Sequence, residues 1–101
     1  MENEFGEKLD SNGYARSILH EGDCIYCRNS ETVRHEVFRG KNRSNSKKYG
    51  LWITVCPLCH MMIHNNIGLS HALMADAQVK AMKHYGWETK DFIQRFGKNY
   101  V

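Results

Sequence analysis

Cys24-Ile25-Tyr26-Cys27 and Cys56-Pro57-Leu58-Cys59-His60-Met61-Met62-Ile63-His64 are the stretches that decide how this chain folds. Each opens on a Cys-x-x-Cys pair, and residues 28–55 lie between the pairs. Deprotonated cysteine sulfur binds zinc tetrahedrally, and four such ligands leave no open position. The pattern is that of a closed structural zinc site at Cys24, Cys27, Cys56 and Cys59. Such a metal joins the loop before one strand to the start of a helix. It would also hold His60 and His64 in place.

A chain of 101 residues, 42% of them hydrophobic, makes one small domain with a modest core. A structural zinc contributes folding energy on the order of 10 kcal/mol in modules of this kind. The rival reading is two disulfides in a secreted peptide. No stretch approaches the ~20 apolar residues of a membrane span. No apolar run near the N-terminus suggests a secretion signal. The expected location is therefore the cytoplasm, with no membrane partner; thiols stay reduced there and paired cysteines favour metal. Residues 1–12 are polar and acidic (Glu2, Glu4, Glu7, Asp10) and read as a flexible tail before a domain over 13–101.

The net charge of +3 says little, but its distribution says more. No Asp or Glu occurs from Val37 to Ala75, while Arg39, Lys41, Arg43, Lys47 and Lys48 lie in that span and Arg34 just before it. A basic segment beside a metal site points to a polyanion, and nucleic acid is the usual one. The bland alternative is a solubilising loop. Any contacts these side chains make to phosphates would fix position rather than sequence.

Residues 14–19 are mixed and suit a short helix or strand. Thr32 to Phe38, with β-branched and aromatic residues, reads as a strand that Gly40 ends. Lys41 to Gly50 is polar, basic and rich in Asn and Ser, which predicts a loop. Leu51-Trp52-Ile53-Thr54-Val55 is the strongest strand signal, and it should pair antiparallel with the first strand. Pro57 suits the first position of a short helix running to about His64. Residues four apart share a helical face, so His60 and His64 point the same way, towards the strands. A longer helix is expected from an N-cap at Ser70 to Gly86, with Leu69, Leu73, Met74, Ala77, Ala81, Met82 and Tyr85 as its apolar stripe. Thr89 caps a last helix that turns Phe92, Ile93 and Phe96 inward. The fold class is thus small α+β, a two-stranded ββα unit around zinc with one or two C-terminal helices.

His35, Glu36, His60 and His64 form a second constellation. Three imidazoles, or imidazoles plus a carboxylate, suit a divalent cation with open positions. Each alone could equally be a surface or sheet histidine. His20, His71 and His84 match no pattern. An open cation beside basic residues is the layout of metal-assisted phosphodiester cleavage.

A strand bearing His35, a loop, a second strand and then Cys56-x-x-Cys59-His60-x-x-x-His64 resembles the His-Asn-His (HNH) nuclease motif. More closely, the chain is similar to small phage-encoded HNH-like proteins. Their strand reads like His35-Glu36-Val37-Phe38-Arg39-Gly40, and their loop like Asn42 to Leu51. Their ending is like Phe96-Gly97-Lys98-Asn99-Tyr100, so the resemblance covers roughly Cys24 to Val101. It implies a ββα-metal fold and metal-dependent cutting or nicking of DNA, with phage proteins as possible further partners. It makes His35, His60 and His64 ligands of a second divalent cation: magnesium, manganese, nickel or zinc. Glu36 then stands where the family's base histidine is expected. A register one residue different makes His35 the base and puts Arg34 at a ligand position it cannot fill. The middle Asn is replaced by Leu51, for which Asn42 or Asn45 could substitute. Glu36 and Leu51 also suit a different function, a zinc-stabilised module that binds DNA or protein and cuts nothing.

Overall fold

Two strands and four helices follow one another in the computed structural model, which describes all 101 residues, Met1–Val101. They are β1 (Val33–Glu36), α1 (Arg43–Lys48), β2 (Trp52–Val55), α2 (Pro57–His64), α3 (Ile67–Tyr85) and α4 (Thr89–Phe96), with one 3-10 turn at Gly40–Asn42. β1 and β2 pair antiparallel, with His35 opposite Ile53 and Glu36 opposite Trp52. Every residue of β2 is buried, as its β-branched run requires. The expected small α+β class holds. No helix is long and apolar enough to cross a membrane.

Lys41 to Gly50 is not the plain loop expected from composition. Arg43–Lys48 forms a helix, although no apolar stripe marks it. Its anchor is the fully buried Ser46, whose hydroxyl donates to the Leu51 carbonyl at 2.5 Å and accepts the Phe38 N–H at 3.1 Å. The side-chain amides of Asn42 and Asn45 donate to the Phe96 and Arg95 carbonyls, each at 2.9 Å. They satisfy orphan carbonyls at the end of α4.

Residues 14–19 form neither helix nor strand. This segment lies along the end of α1, with Ala15 N–H donating to Lys47 and Ile18 N–H to Gly50. Pro57 occupies the first turn of α2 as expected, with Cys56 as its cap. The long helix begins at Ile67, earlier than Ser70. Asn66 is its cap and accepts the Leu69 N–H at 3.0 Å, while Ser70 is buried in the first turn. Gly86 ends it in the left-handed region at φ 70°. In α4 a reciprocal Glu88–Asp91 capping box sets the start. Phe92 and Phe96 turn inward, but Ile93 lies one position off that stripe and is exposed.

Two apolar clusters result. The larger joins Val37, Phe38, Tyr49, Leu51, Ala77, Ala81, Trp87, Phe92 and Phe96. The smaller joins Cys24, Ile53, Val55, Cys56 and Ile63. Leu19 and Leu73 pack against both.

The first twelve residues, expected as a flexible tail, fold back onto the domain. Asn3 is buried and donates to the Lys48 carbonyl at 3.0 Å. The Phe5 ring lies 4.6 Å from that of Tyr85 and 5.9 Å from that of Trp87. Glu4 accepts the Tyr49 hydroxyl at 2.7 Å, and Glu7 accepts that of Tyr85 at 2.6 Å. The acidic composition that suggested disorder supplies these acceptors.

Gly50 turns the chain into β2 at φ 69°, and a Cβ there would overlap the Arg16 carbonyl oxygen. Gly50→Ala therefore meets both a left-handed backbone and backbone overlap. It should cost more than about 2 kcal/mol in urea unfolding. An unchanged midpoint would show that the turn is not under this constraint.

Candidate metal centres and the adjoining groove

The first knuckle is a tight turn. Cys24 N–H donates to Asn29 and Arg28 N–H donates back to Cys24, each at 2.9 Å, with Arg28 at φ 66°. Ile25 N–H reaches the Thr54 carbonyl at 3.1 Å, which fastens the knuckle to β2. The second knuckle is the first turn of α2, where Cys56 Sγ accepts the Cys59 N–H at 3.4 Å. All four Sγ atoms lie within 4.8 Å of one another, and those of Cys27 and Cys56 are 3.5 Å apart. Tetrahedral zinc with bonds of about 2.3 Å sets sulfurs about 3.8 Å apart, so the cluster is of the right size.

Burial alone would raise the Cys24 thiol, but backbone N–H groups of Cys27, Cys56 and Tyr26 outweigh it and hold it down to about 6. The Cys59 N–H likewise lowers Cys56. Cys59 is pushed up to about 12, first by the Cys56 sulfur. At Cys27 the Asn29 N–H favours the thiolate, but the Cys56 and Cys24 sulfurs reverse that and raise it. Four thiolates this close repel unless a cation lies among them, and a dication inverts the two raised values. The donor set therefore fits zinc.

Three imidazoles converge nearby. His35 comes from β1, while His60 and His64 stand one turn apart on α2. α2 is held against the sheet by Ile63, which packs with Ile53, Val55 and the cysteines. Ring centroids are 5.2 Å apart for His35–His60, 5.3 Å for His35–His64 and 4.6 Å for His60–His64. The Nε2 atoms of His60 and His64 are 3.0 Å apart, and one nitrogen from each ring lies within 4.8 Å of the others. The expected cluster is thus brought together, and three imidazoles can hold a divalent cation with positions left over.

Burial, then the neighbouring His60, His64 and Arg39, push His35 down to about 4. His64 is also lowered, by desolvation and by Arg39 and His60. Neutral imidazole is the ligating form, and these surroundings keep both rings free of protons. Arg39 Nη1 contacts His64 Nδ1, and its Nη2 lies 3.5 Å from the Ser70 hydroxyl.

A groove of about 690 Å³ opens from the imidazoles. Arg34, Arg39, Arg43 and Lys47 line it, as the charge pattern led us to expect. Lys41 and Lys48 do not; Lys48 pairs with Glu4 at 3.7 Å. Glu36 lines the groove but stands outside the imidazole cluster, and Arg43 Nε donates to it at 2.6 Å. Leu51 is wholly buried in the larger core. Asn42 and Asn45 are committed to α4 and do not line the groove. Two lining residues, Asn12 and Tyr14, were not legible in sequence, since they come from a segment far from β1 and α2 in the chain. The chain matches no protein-family model, no curated protein and no solved structure.

Zinc held by the four thiolates would contribute folding energy directly, so chelation of reduced protein, or Cys24→Ser, should abolish cooperative thermal unfolding. Reduced, metal-free protein with an unshifted midpoint would remove the structural role. His35 adds a pH dependence. The unfolded imidazole titrates near 6.5 and the folded one near 4, so only the unfolded state gains a proton between them. Its contribution is constant above pH 6.5 and erodes as pH falls from there towards 4. Urea titrations from pH 7 to 5 should show a shallower decline for His35→Leu than for wild type. Parallel declines would refute the assignment.

Proposed function

We propose that the protein is a metal-dependent endonuclease of the HNH type, cleaving or nicking DNA. The observation that carries this is the meeting of His35, His60 and His64 at one end of a groove lined by Arg34, Arg39, Arg43 and Lys47. The order β1, β2, α2, with imidazoles on the first strand and the helix, supports this reading. A divalent cation there, whether magnesium, manganese, nickel or zinc, would neutralise charge on a scissile phosphate and acidify a water. His35, His60 and His64 would be its ligands. Arg34, Arg39, Arg43 and Lys47 would pair neighbouring phosphates and set the strand's register. Glu36, held by Arg43, would accept the proton of the attacking water once a phosphate draws the guanidinium away.

One observation favours a second function, a zinc-stabilised module that binds DNA without cutting. As it stands, the only carboxylate among the groove residues is tied to Arg43. Supercoiled plasmid incubated with each metal in turn separates the two. The nuclease predicts nicking by wild type and a loss of at least about a hundredfold in His60→Ala, with a comparable loss in Glu36→Gln. Tight DNA binding with no nicking under any metal would establish the binding module instead.

A further inference from the structure

The geometry points to a second, smaller pocket beside the groove as a binding site for one unpaired nucleobase of the bound DNA strand. It rests on the DNA reading of the groove and adds to it the form of the substrate. The pocket, about 260 Å³, shares Tyr14 and Arg34 with the groove; Leu9, Ala15 and Trp52 add apolar wall, and Lys8, Asp10, Arg16 and Glu21 its polar rim. These two shared residues make a ridge, with the imidazole groove on one side and the pocket on the other.

The ridge is built as a stacking surface. The Arg34 guanidinium lies 4.2 Å from the Tyr14 ring centroid and 4.8 Å from that of Trp52. The two rings meet edge to face at 5.7 Å, and Asp10 holds the guanidinium at 3.1 Å. Trp52 is fixed in turn by its indole N–H on the Ala15 carbonyl at 2.9 Å. Trp52 is buried and braces the ridge from behind, so the Arg34 guanidinium and the half-buried Tyr14 ring are the planar groups that an unstacked base would lie against. The volume falls below the ~300–1,000 Å³ of pockets for drug-sized ligands and suits a single heteroaromatic ring system. Lys47, 4.7 Å from the Tyr14 ring, and Arg43 stand on the groove side, where the phosphates of the same strand would run.

A base paired within a duplex is stacked on its neighbours and cannot cross this ridge. Only a single strand, a frayed end or an extruded base can fill the pocket. Its carboxylates are already engaged. Asp10 accepts the Asn12 and Tyr14 N–H groups as well as Arg34, and Glu21 accepts the Ser17 N–H. Arg16 is paired to Glu21 at 3.6 Å, so recognition would come mainly from stacking.

The test uses the full zinc-loaded chain without added magnesium or manganese. The probes are a mixed-sequence strand of about 12 nucleotides, the same strand carrying one 2-aminopurine, and its duplex. Wild type should bind the single strand more tightly than the duplex and quench the 2-aminopurine. Tyr14→Leu should lose about tenfold in single-strand affinity, together with the quenching, and lose clearly less on the duplex. Tyr14→Phe should retain both. Leu9→Trp, which fills the pocket from its wall, should reproduce the loss and covers the case in which Tyr14→Leu fails to fold. Equal losses on both DNA forms, no loss on either, or a preference for duplex would overturn the base site while leaving the groove's DNA role intact. Binding of neither form by wild type would bring down that role, and the base site with it.

Discussion

The meeting of four cysteine sulfurs is the constraint from which the site follows. β1 and β2 are four residues each, and a two-stranded ribbon of that length is marginal in water. α2 has only eight residues, too few to be helical alone. Cys56 caps α2 through its own sulfur while standing directly after β2, and Cys24 lies against β2 through the Ile25–Thr54 hydrogen bond. One cation among the sulfurs would therefore fix the angle at which α2 leaves the sheet. That angle decides whether His60 and His64 reach His35. Ile63, one residue before His64, fills the apolar space the angle creates, so packing and coordination favour the same pose.

What was legible in the sequence was whatever a local pattern encodes. The paired cysteines, the i, i+4 histidines, Pro57 and the β-branched run of β2 each announce their role within a few residues. Two kinds of feature stayed hidden. α1 carries no apolar periodicity because its buried residue is Ser46, which stabilises through two backbone hydrogen bonds rather than through area. Asn66 and Ser70 are both good caps, and composition cannot choose between them. Ser70 loses because the turn before it is already helical and Arg39 lies against its hydroxyl. The N-terminal segment is the larger omission. Phe5 and Glu7 find their partners on Tyr49, Tyr85, Trp87 and His84, and no local window holds both ends of such contacts.

That segment changes how the basic residues should be weighed. Counted along the chain, Arg34, Arg39, Lys41, Arg43, Lys47 and Lys48 look equivalent. In the fold, Arg34 is paired to Asp10, Arg43 to Glu36 and Lys48 to Glu4. Exposed pairs of this sort are weak in water, on the order of 0–1 kcal/mol, so a phosphate can displace them. The Glu36 pair is different in kind. Its carboxylate is largely buried, and removing the guanidinium without replacing its charge leaves an anion poorly solvated.

An arriving polyanion would consequently meet two classes of cation. Lys47 has no carboxylate partner and lines the groove beside the Tyr14 ring, so it would engage a phosphate at less cost. Arg43 could do so only by loosening Glu36, and the freed carboxylate would then face any cation held by the imidazoles. Substrate binding and the appearance of a free base in the groove would be one event. A base kept paired until phosphate arrives is also one that does not compete for the cation beforehand. On the proposed nuclease reading, Glu36 where the resembled motif has histidine would thus be compatible with catalysis, because Arg43 gives the carboxylate a condition for release that a neutral imidazole would lack.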